Sequence, residues 1–197
     1  LTTLVLRGQR LRRLPDALGD LSGLQVLDAS ANRLSALPDA VGALHSLREL
    51  LLESNELTTL PDSVGALPGL QVVSVQANRM ATLPTPVLRC AALRYLRWGL
   101  QQPPTNGTGQ RSQGDASAAD AGAQGGGAAL GFASTHLAVL ELEANAQRAI
   151  PPLSAHHGAL TALLASHNQL GALPPSLLHC RASLRKLHLG GNGLTRL

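Results

Sequence analysis

The stretch that decides the fold is Leu47–Gly69, which reads LRELLLESNELTTLPDSVGALPG. Leu50 and Leu52 alternate around a single residue, and this two-residue period is typical of a strand with one buried face. Pro61 follows, fixes the backbone φ angle and ends the extended segment. The remaining DSVGAL is expected to return the chain along the other side, with its valine and leucine pointing inward. The stretch therefore predicts one strand followed by one return segment.

The same pattern recurs along the chain. Its first leucine begins eight segments, and the first four spacings between them are 23 residues. These segments begin at Leu1, Leu24, Leu47, Leu70, Leu93, Leu137, Leu160 and Leu184. A single repeat cannot bury its own apolar edge, so the repeats must stack into a solenoid.

Asparagine occupies the ninth position in six of the eight repeats. These residues are Asn32, Asn55, Asn78, Asn145, Asn168 and Asn192. A buried asparagine amide can hydrogen-bond the backbone of the neighbouring turn. Its recurrence predicts a ladder of such bonds that runs through the stack.

The composition excludes several kinds of protein. The 197 residues include 42 leucines but only three aromatic residues, so leucine and alanine must build the core in similar units. The single lysine, Lys186, is not followed by Ser or Thr, which excludes a phosphate-binding Gly-Lys-Ser/Thr loop. The formal net charge is a modest +4. No signal segment is recognisable, and the longest uncharged run is too rich in glycine to span a membrane.

The pattern LxxLxLxxNxLxxLPxxhxxLxx, with h apolar, resembles the leucine-rich repeat family over essentially the whole chain apart from an insertion. The 23-residue LPxxVGAL form is similar to intracellular Ras-group and Scribble-like scaffolds. The resemblance implies an α/β horseshoe of about eight repeats, with a concave parallel sheet and an irregular or short-helical convex side. It also implies binding of protein partners and no intrinsic catalysis. We expect residues 1–197 to form a single domain.

Some residues depart from the pattern. Gln9 and Gln101 replace the asparagine of the first and fifth repeats, and Gln147 takes a leucine position, which predicts looser packing of the sixth repeat. The last repeat stops at Leu197, its fourteenth position, and neither end carries a recognisable cap. Terminal repeats need capping, so we expect the native protein to extend in both directions.

Residues 101–129 interrupt the fifth repeat. They are rich in Pro, Gly, Ser, Gln and Ala and poor in bulky apolar residues, which predicts a disordered low-complexity insertion. Two interpretations stand: a segment for binding or modification, or a neutral expansion tolerated because loop length costs little. Asn106 begins an Asn-Gly-Thr glycosylation acceptor, which matters only in a secreted protein.

Cys90 and Cys180 occupy the repeat position that Leu67 fills elsewhere, so we expect both thiols in the core. They lie three repeats apart, about 14 Å at roughly 4.8 Å per strand. A disulfide needs Cα atoms within about 7 Å, so the two cannot pair. Buried, unpaired thiols favour a reducing, cytoplasmic setting.

The sequence carries no diagnostic catalytic or metal-binding motif. It contains no GxSxG, HExxH or CxxC, and His156, His157 and His179 fall on return segments, where solvated side chains are expected. We therefore predict a protein that is not an enzyme, has no cofactor, metal or small-molecule ligand and does not span a membrane.

The third, fifth and seventh positions of each repeat should face outward from the sheet. With the flanking positions included, six basic residues face five acidic ones, which argues against nucleic acid as a partner. The apolar side chains at the outward third and fifth positions predict an exposed stripe on the sheet. They are Val26, Leu51, Val72, Tyr95, Val139 and Leu164. The predicted partner-binding residues are Glu49, Leu51, Glu53, Val72, Tyr95, Arg97 and Glu141, with Glu49 and Glu53 steering the partner.

Two further predictions concern single positions on either side of the sheet. A valine in an outward column also simply favours a strand, which is the alternative for each residue taken singly. Trp98 holds an inward position and is predicted to lie in the core and to distort the fifth repeat.

These observations predict a cytoplasmic protein–protein interaction scaffold in intracellular signalling. The alternative is the regulatory repeat array of a larger signalling enzyme (a kinase, cyclase or phosphatase) that lies outside this segment. A purely structural role is a third possibility, under which substitutions on the outward face have no effect.

Overall fold

The computed structural model describes residues 1–102, 132–145, 147–151, 153 and 158–195. Within them, eight three-residue strands form one parallel sheet in chain order. The strands are β1 Thr3–Val5, β2 Val26–Asp28, β3 Glu49–Leu51, β4 Val72–Ser74, β5 Tyr95–Arg97, β6 Val139–Glu141, β7 Ala162–Leu164 and β8 Lys186–His188. The insertion predicted at 101–129, beyond its first two residues, lies outside the described residues, as do Asn106, His156 and His157.

Each strand occupies the third to fifth positions of its repeat, so the register is that of the sequence repeat. Leu27 lies opposite Leu50, and Leu96 opposite Leu140. The pairing of β5 keeps this register towards both β4 and β6. The distortion predicted around Trp98 is therefore absent from the strand pairing, although the side chain is buried as predicted.

The convex side is built from short helices that begin after a proline. In the described ranges, four 3₁₀ helices span Asp16–Asp20, Asp39–Ala43, Asp62–Ala66 and Pro175–Cys180, and one α-helical turn, α1, spans Thr85–Leu88. The proline before each element has an extended backbone, with φ between −65 and −72°. This confirms the predicted short-helical convex side and the role of proline in ending the extended segment.

The core lies between the sheet and the return segments. Leu50, Leu52 and Val64 are fully buried, and Leu67 is nearly so, as the pattern predicts. Trp98 is the largest of the fully buried side chains and replaces a leucine in this layer. Burial of aliphatic side chains at about 25 cal/mol per Å² is the main force that holds successive repeats together.

The recurring glycine of the return segment has a steric cause. A Cβ added at Gly42 would lie 2.5 Å from Ser63 Cβ in the next repeat, and one at Gly19 would lie 2.8 Å from the Ala40 carbonyl oxygen. At Gly65 the neighbour is the Pro86 carbonyl oxygen, also at 2.8 Å. Consecutive helices therefore pack closely enough to require glycine at this position.

The predicted ladder of ninth-position side chains is present. Asn55 Oδ1 accepts from the Leu34 N–H at 3.0 Å, and its amide donates to Ala29 O at 3.0 Å and Leu52 O at 3.1 Å. Equivalent contacts are made by Asn32, Asn78, Asn168 and Asn192. Asn145 donates to Trp98 O in the same way but accepts from the Gln101 N–H. We call this series, with Gln101, the asparagine ladder.

The two glutamines of this column behave differently. Gln101 Oε1 accepts from the Met80 N–H at 3.1 Å and its Nε2 donates to Val75 O at 2.7 Å, so it serves as a ladder residue. Gln9 is exposed, and its Nε2 donates to Arg7 O of its own repeat at 3.2 Å. The longer side chain therefore replaces asparagine within the stack but not in the first repeat.

Candidate protein-binding surface

The outward positions form one continuous surface. Because the fourth-position leucines enter the core, the third and fifth positions of each strand point to the other face. Backbone pairing continues past the strands, with Ala29 N–H to Leu51 O at 2.9 Å and Ala31 N–H to Glu53 O at 2.8 Å. The seventh-position residues therefore lie on the same surface, and we call the third, fifth and seventh positions together the concave face.

The apolar stripe on the concave face is less exposed than predicted. Tyr95 is 44% exposed. Val26, Leu51, Val72, Val139 and Leu164 are half-buried. Parallel strands lie about 4.8 Å apart, so each side chain is flanked by those of the same column in adjacent repeats. Val72, for example, lies between Glu49 and Tyr95. The stripe is a shallow apolar floor from which Tyr95 protrudes.

A polar network crosses the middle of this floor. Arg97 Nε donates to Glu141 Oε2 at 3.0 Å, and its Nη1 lies 3.5 Å from Glu53 Oε1. The Ser74 hydroxyl donates to Glu53 Oε1 at 2.6 Å, and Gln76 Nε2 donates to Glu141 Oε2 at 3.3 Å. We call these five residues the Arg97 bridge. It links the third to the sixth repeat and spans the place where the fifth repeat is interrupted.

The absence of a side chain at Gly99 allows the Arg97 bridge to include the Gln76–Glu141 hydrogen bond. A Cβ at this position would lie 2.9 Å from the Glu143 carbonyl oxygen and 3.6 Å from Gln76 Nε2. The missing side chain leaves a path for Gln76 to pass over the fifth repeat and reach Glu141. Bulk at this position would displace either the neighbouring strand or the Gln76 amide.

Charge is segregated on this surface. From the second to the sixth repeat, the concave face carries five carboxylates and one guanidinium, that of Arg97. The carboxylates are those of Asp28, Glu49, Glu53, Glu141 and Glu143. The exposed Arg48 and Arg94 precede their strands at the rim, where Arg94 lines a shallow depression with Pro68 and His136. Of the six basic residues counted in the sequence, Arg7, Arg97 and Lys186 thus lie on the concave face, where five carboxylates outnumber them, and Arg48, Arg94 and Arg185 precede their strands.

The structure places all seven predicted binding residues on the concave face. Glu53, Arg97 and Glu141 are joined in the bridge, and Glu49, Val72 and Tyr95 are neighbours in the third column. Leu51 pairs with Ser74 in the fifth column. The prediction missed Ser74, Gln76 and Gly99, although their outward columns were already defined by the register.

Cys90 is a buried free thiol in the return segment. Its Sγ lies 3.5 Å from Val64 O and 3.6 Å from Pro86 O. Burial raises the pKa of this thiol from 9.0 to about 11, partly offset by the positive charge of Arg89. Cys180 is also buried, and burial raises its pKa. Cys90 is therefore not bonded to Cys180, as predicted.

Two kinds of structural feature are absent from the described part of the chain. No group of three or more His, Cys, Asp or Glu side chains there is arranged to hold a metal ion. No helix in that part has the length and apolar character needed to cross a membrane.

The architecture is that of a repeat solenoid, in which strand-and-return units stack and leave an open parallel sheet on one side. Residues 1–57 and 22–80 match the leucine-rich repeat family. The remaining described residues continue the same register and asparagine ladder. The family match therefore covers residues 1–80, and the described chain as a whole has the leucine-rich-repeat fold.

Solved structures share this fold. A leucine-rich repeat protein of Leptospira interrogans is 27% identical, with a TM-score of 0.79 over 100% of this chain and 45% of its own. The PEPR1–AtPEP1 structure is 26% identical, with a TM-score of 0.67 over 98% of this chain and 25% of its own. InlJ from Listeria monocytogenes, whose functional domain includes a cysteine ladder, has a TM-score of 0.57 at 19% identity over 100% of this chain and 41% of its own. The chain thus spans less than half the length of each, and no curated protein matches it.

Proposed function

We propose that this chain is a non-enzymatic scaffold that holds a protein partner on its concave face. The observation that carries the proposal is an open sheet face with an apolar floor, a protruding tyrosine and a polar network. Leucine-rich repeats generally serve as binding scaffolds, and a protein–protein interaction role fits the chain's fold and its structural neighbours.

The character of the surface supports this role. Tyr95 and Arg97 belong to residue types that are frequent at the energetic centres of interfaces, and both lie on β5 near the middle of the sheet. The Arg97 bridge fixes several side chains before a partner arrives, which reduces the entropy lost on binding. A short strand on every repeat also keeps the floor rigid.

We propose that the protein works in cytoplasmic signalling. The support is the free, buried Cys90, which suits a reducing compartment, together with the 23-residue repeat form similar to Ras-group and Scribble-like scaffolds. If the chain is instead the regulatory array of a larger signalling enzyme, the concave face remains the proposed partner-binding surface.

Affinity capture from native cytosol at physiological salt tests the proposal. The baits are the unaltered chain, Tyr95→Ala, Leu51→Ser and the control Leu178→Ser, which changes a leucine that is 71% exposed on a convex return segment. We expect the two concave variants to lose a partner that the control retains. Retention of every partner by both concave variants would move the interface to another surface.

A further inference from the structure

We infer that the partner presents an extended, positively charged polypeptide segment to the concave face. This inference rests on the proposed function and specifies the chemistry of the partner. Its basis is charge complementarity on a sheet face that is otherwise apolar.

From the second to the sixth repeat, the negative charge of the concave face is not neutralised from within. The Arg97 bridge combines two carboxylates with one guanidinium and keeps a negative balance. Asp28, Glu49 and Glu143 form no ion pair within the described residues. The Arg97 guanidinium already contacts both glutamates of the bridge, so further negative charge from a partner would meet repulsion here.

The apolar floor supplies a second, independent argument. Tyr95 is the protruding aromatic side chain of this face, with Val72 and Val139 as its neighbours in register. The face of an aromatic ring attracts a guanidinium or ammonium group, and the attraction adds to that of nearby carboxylates. A floor of half-buried aliphatic residues between the acids also accepts the methylene stems of Arg and Lys.

The positions of the chain's own cations favour a segment over a basic globular surface. The whole chain has a formal charge of +4, and Arg48 and Arg94 line the rim at the start of the strands. A broad basic surface would meet these arginines. A narrow segment along the concave face stays close to Tyr95 and to the carboxylates, and charges beyond about 8 Å are largely screened at physiological ionic strength.

The probes are a labelled peptide of alternating Arg and Val and a length-matched peptide of alternating Glu and Val, titrated into the purified chain. We expect the Arg peptide to bind at least about tenfold more tightly, and more weakly as salt rises. The Glu49→Gln/Glu143→Gln variant removes two unpaired concave charges and is expected to weaken Arg-peptide binding about threefold to tenfold. The control Asp16→Asn/Asp39→Asn removes two exposed convex charges and should leave binding unchanged.

Tyr95→Leu keeps the apolar area but removes the ring, and we expect it to reduce the preference for the Arg peptide about threefold. Equal binding of the two peptides, or a loss caused by the convex control and not by the concave variant, would overturn the inference. The cytosolic capture with Tyr95→Ala and Leu51→Ser reports on the concave face whatever the partner's charge. A partner lost in that capture, with no preference for the Arg peptide, would refute the basic segment and leave the scaffold proposal standing.

Discussion

Each side chain of the asparagine ladder ties adjacent repeats together through backbone atoms. Asn55 accepts from Leu34 N–H in the preceding repeat and donates to Ala29 O in that repeat and to Leu52 O in its own. These residues are buried, and without the Asn55 amide the Leu34 N–H would lose its partner, while Ala29 O and Leu52 O would each lose one of two amide donors. A buried polar group left without a partner costs about 1–3 kcal/mol.

We therefore predict that Asn55→Ala lowers the free energy of unfolding by about 2–4 kcal/mol. Gln9→Ala is the matched control, because Gln9 has the same repeat position but is exposed and bonds Arg7 O of its own repeat. Its effect should stay below about 0.5 kcal/mol. Denaturant unfolding followed by circular dichroism measures both, and similar values for the two variants would contradict a stabilising ladder.

The Cys90 thiol predicts a particular dependence of stability on pH. Burial raises its pKa from 9.0 to about 11, so below pH 9 the folded and unfolded chains both keep the proton. Between pH 9 and 11 the unfolded chain releases the proton first, and the free energy of unfolding should fall by up to about 1.4 kcal/mol per pH unit. Comparing this slope with that of Cys90→Ala isolates the thiol, and identical slopes would show that its titration is not linked to folding.

The sequence predicted the ladder residues but not the backbone that precedes them. The eighth position adopts a positive φ in every repeat, for example 54° at Ala31 and 55° at Leu100. Glycine would signal this conformation, but only Gly8 and Gly191 carry it at this position. The other repeats hold a left-handed residue that is intrinsically unfavourable by about 1 kcal/mol. The ladder bond to the next residue compensates for this cost, so a pattern of residue types does not reveal it.

At the scale of elements, the return segments are held at a fixed distance by their glycines. We predict that Gly42→Ala lowers the free energy of unfolding by about 1–3 kcal/mol, because its Cβ would meet Ser63 Cβ at 2.5 Å. Gly171→Ala is the control, since no atom lies within 4 Å of its added Cβ. Thermal unfolding of the two variants tests this prediction. Equal melting temperatures would mean that the helices move apart without loss of stability.

The strands and return segments were predictable because they follow from a repeated spacing of leucine, proline and asparagine. The Arg97 bridge was not, although three of its members were among the predicted binding residues. The bridge depends on side-chain conformations that join residues two repeats apart, as Gln76 and Glu141 are. It also depends on the absence of a side chain at Gly99, which leaves room for Gln76 of the preceding repeat. The sequence count included the flanking positions, and the strand bounds separate Arg48 and Arg94, which precede their strands, from the outward columns.

The interruption of the fifth repeat raises the question of whether the whole stack unfolds as one unit. The described residues on its two sides are joined by the β5–β6 pairing, by the bond from Gln101 N–H to Asn145 Oδ1 at 3.4 Å, and by the Arg97 bridge. In a repeat array, such nearest-neighbour contacts carry the cooperativity of folding.

Trp98 allows a direct test, because it is the chain's one tryptophan, is buried, and lies on the fifth repeat beside the interruption. We predict that Asn55→Ala before the interruption and Asn168→Ala after it each shift the Trp98 fluorescence transition to lower denaturant by the same amount as the circular dichroism transition. Asn168 Oδ1 accepts from the N–H groups of Asn145 and Gln147 at 3.1 and 3.0 Å. Removing the Asn168 amide should therefore destabilise the sixth repeat, just as removing the Asn55 amide should destabilise the second. If Asn168→Ala moved only the circular dichroism signal, the two sides of the interruption would unfold separately, and a partner would then have to bridge two units instead of one rigid face.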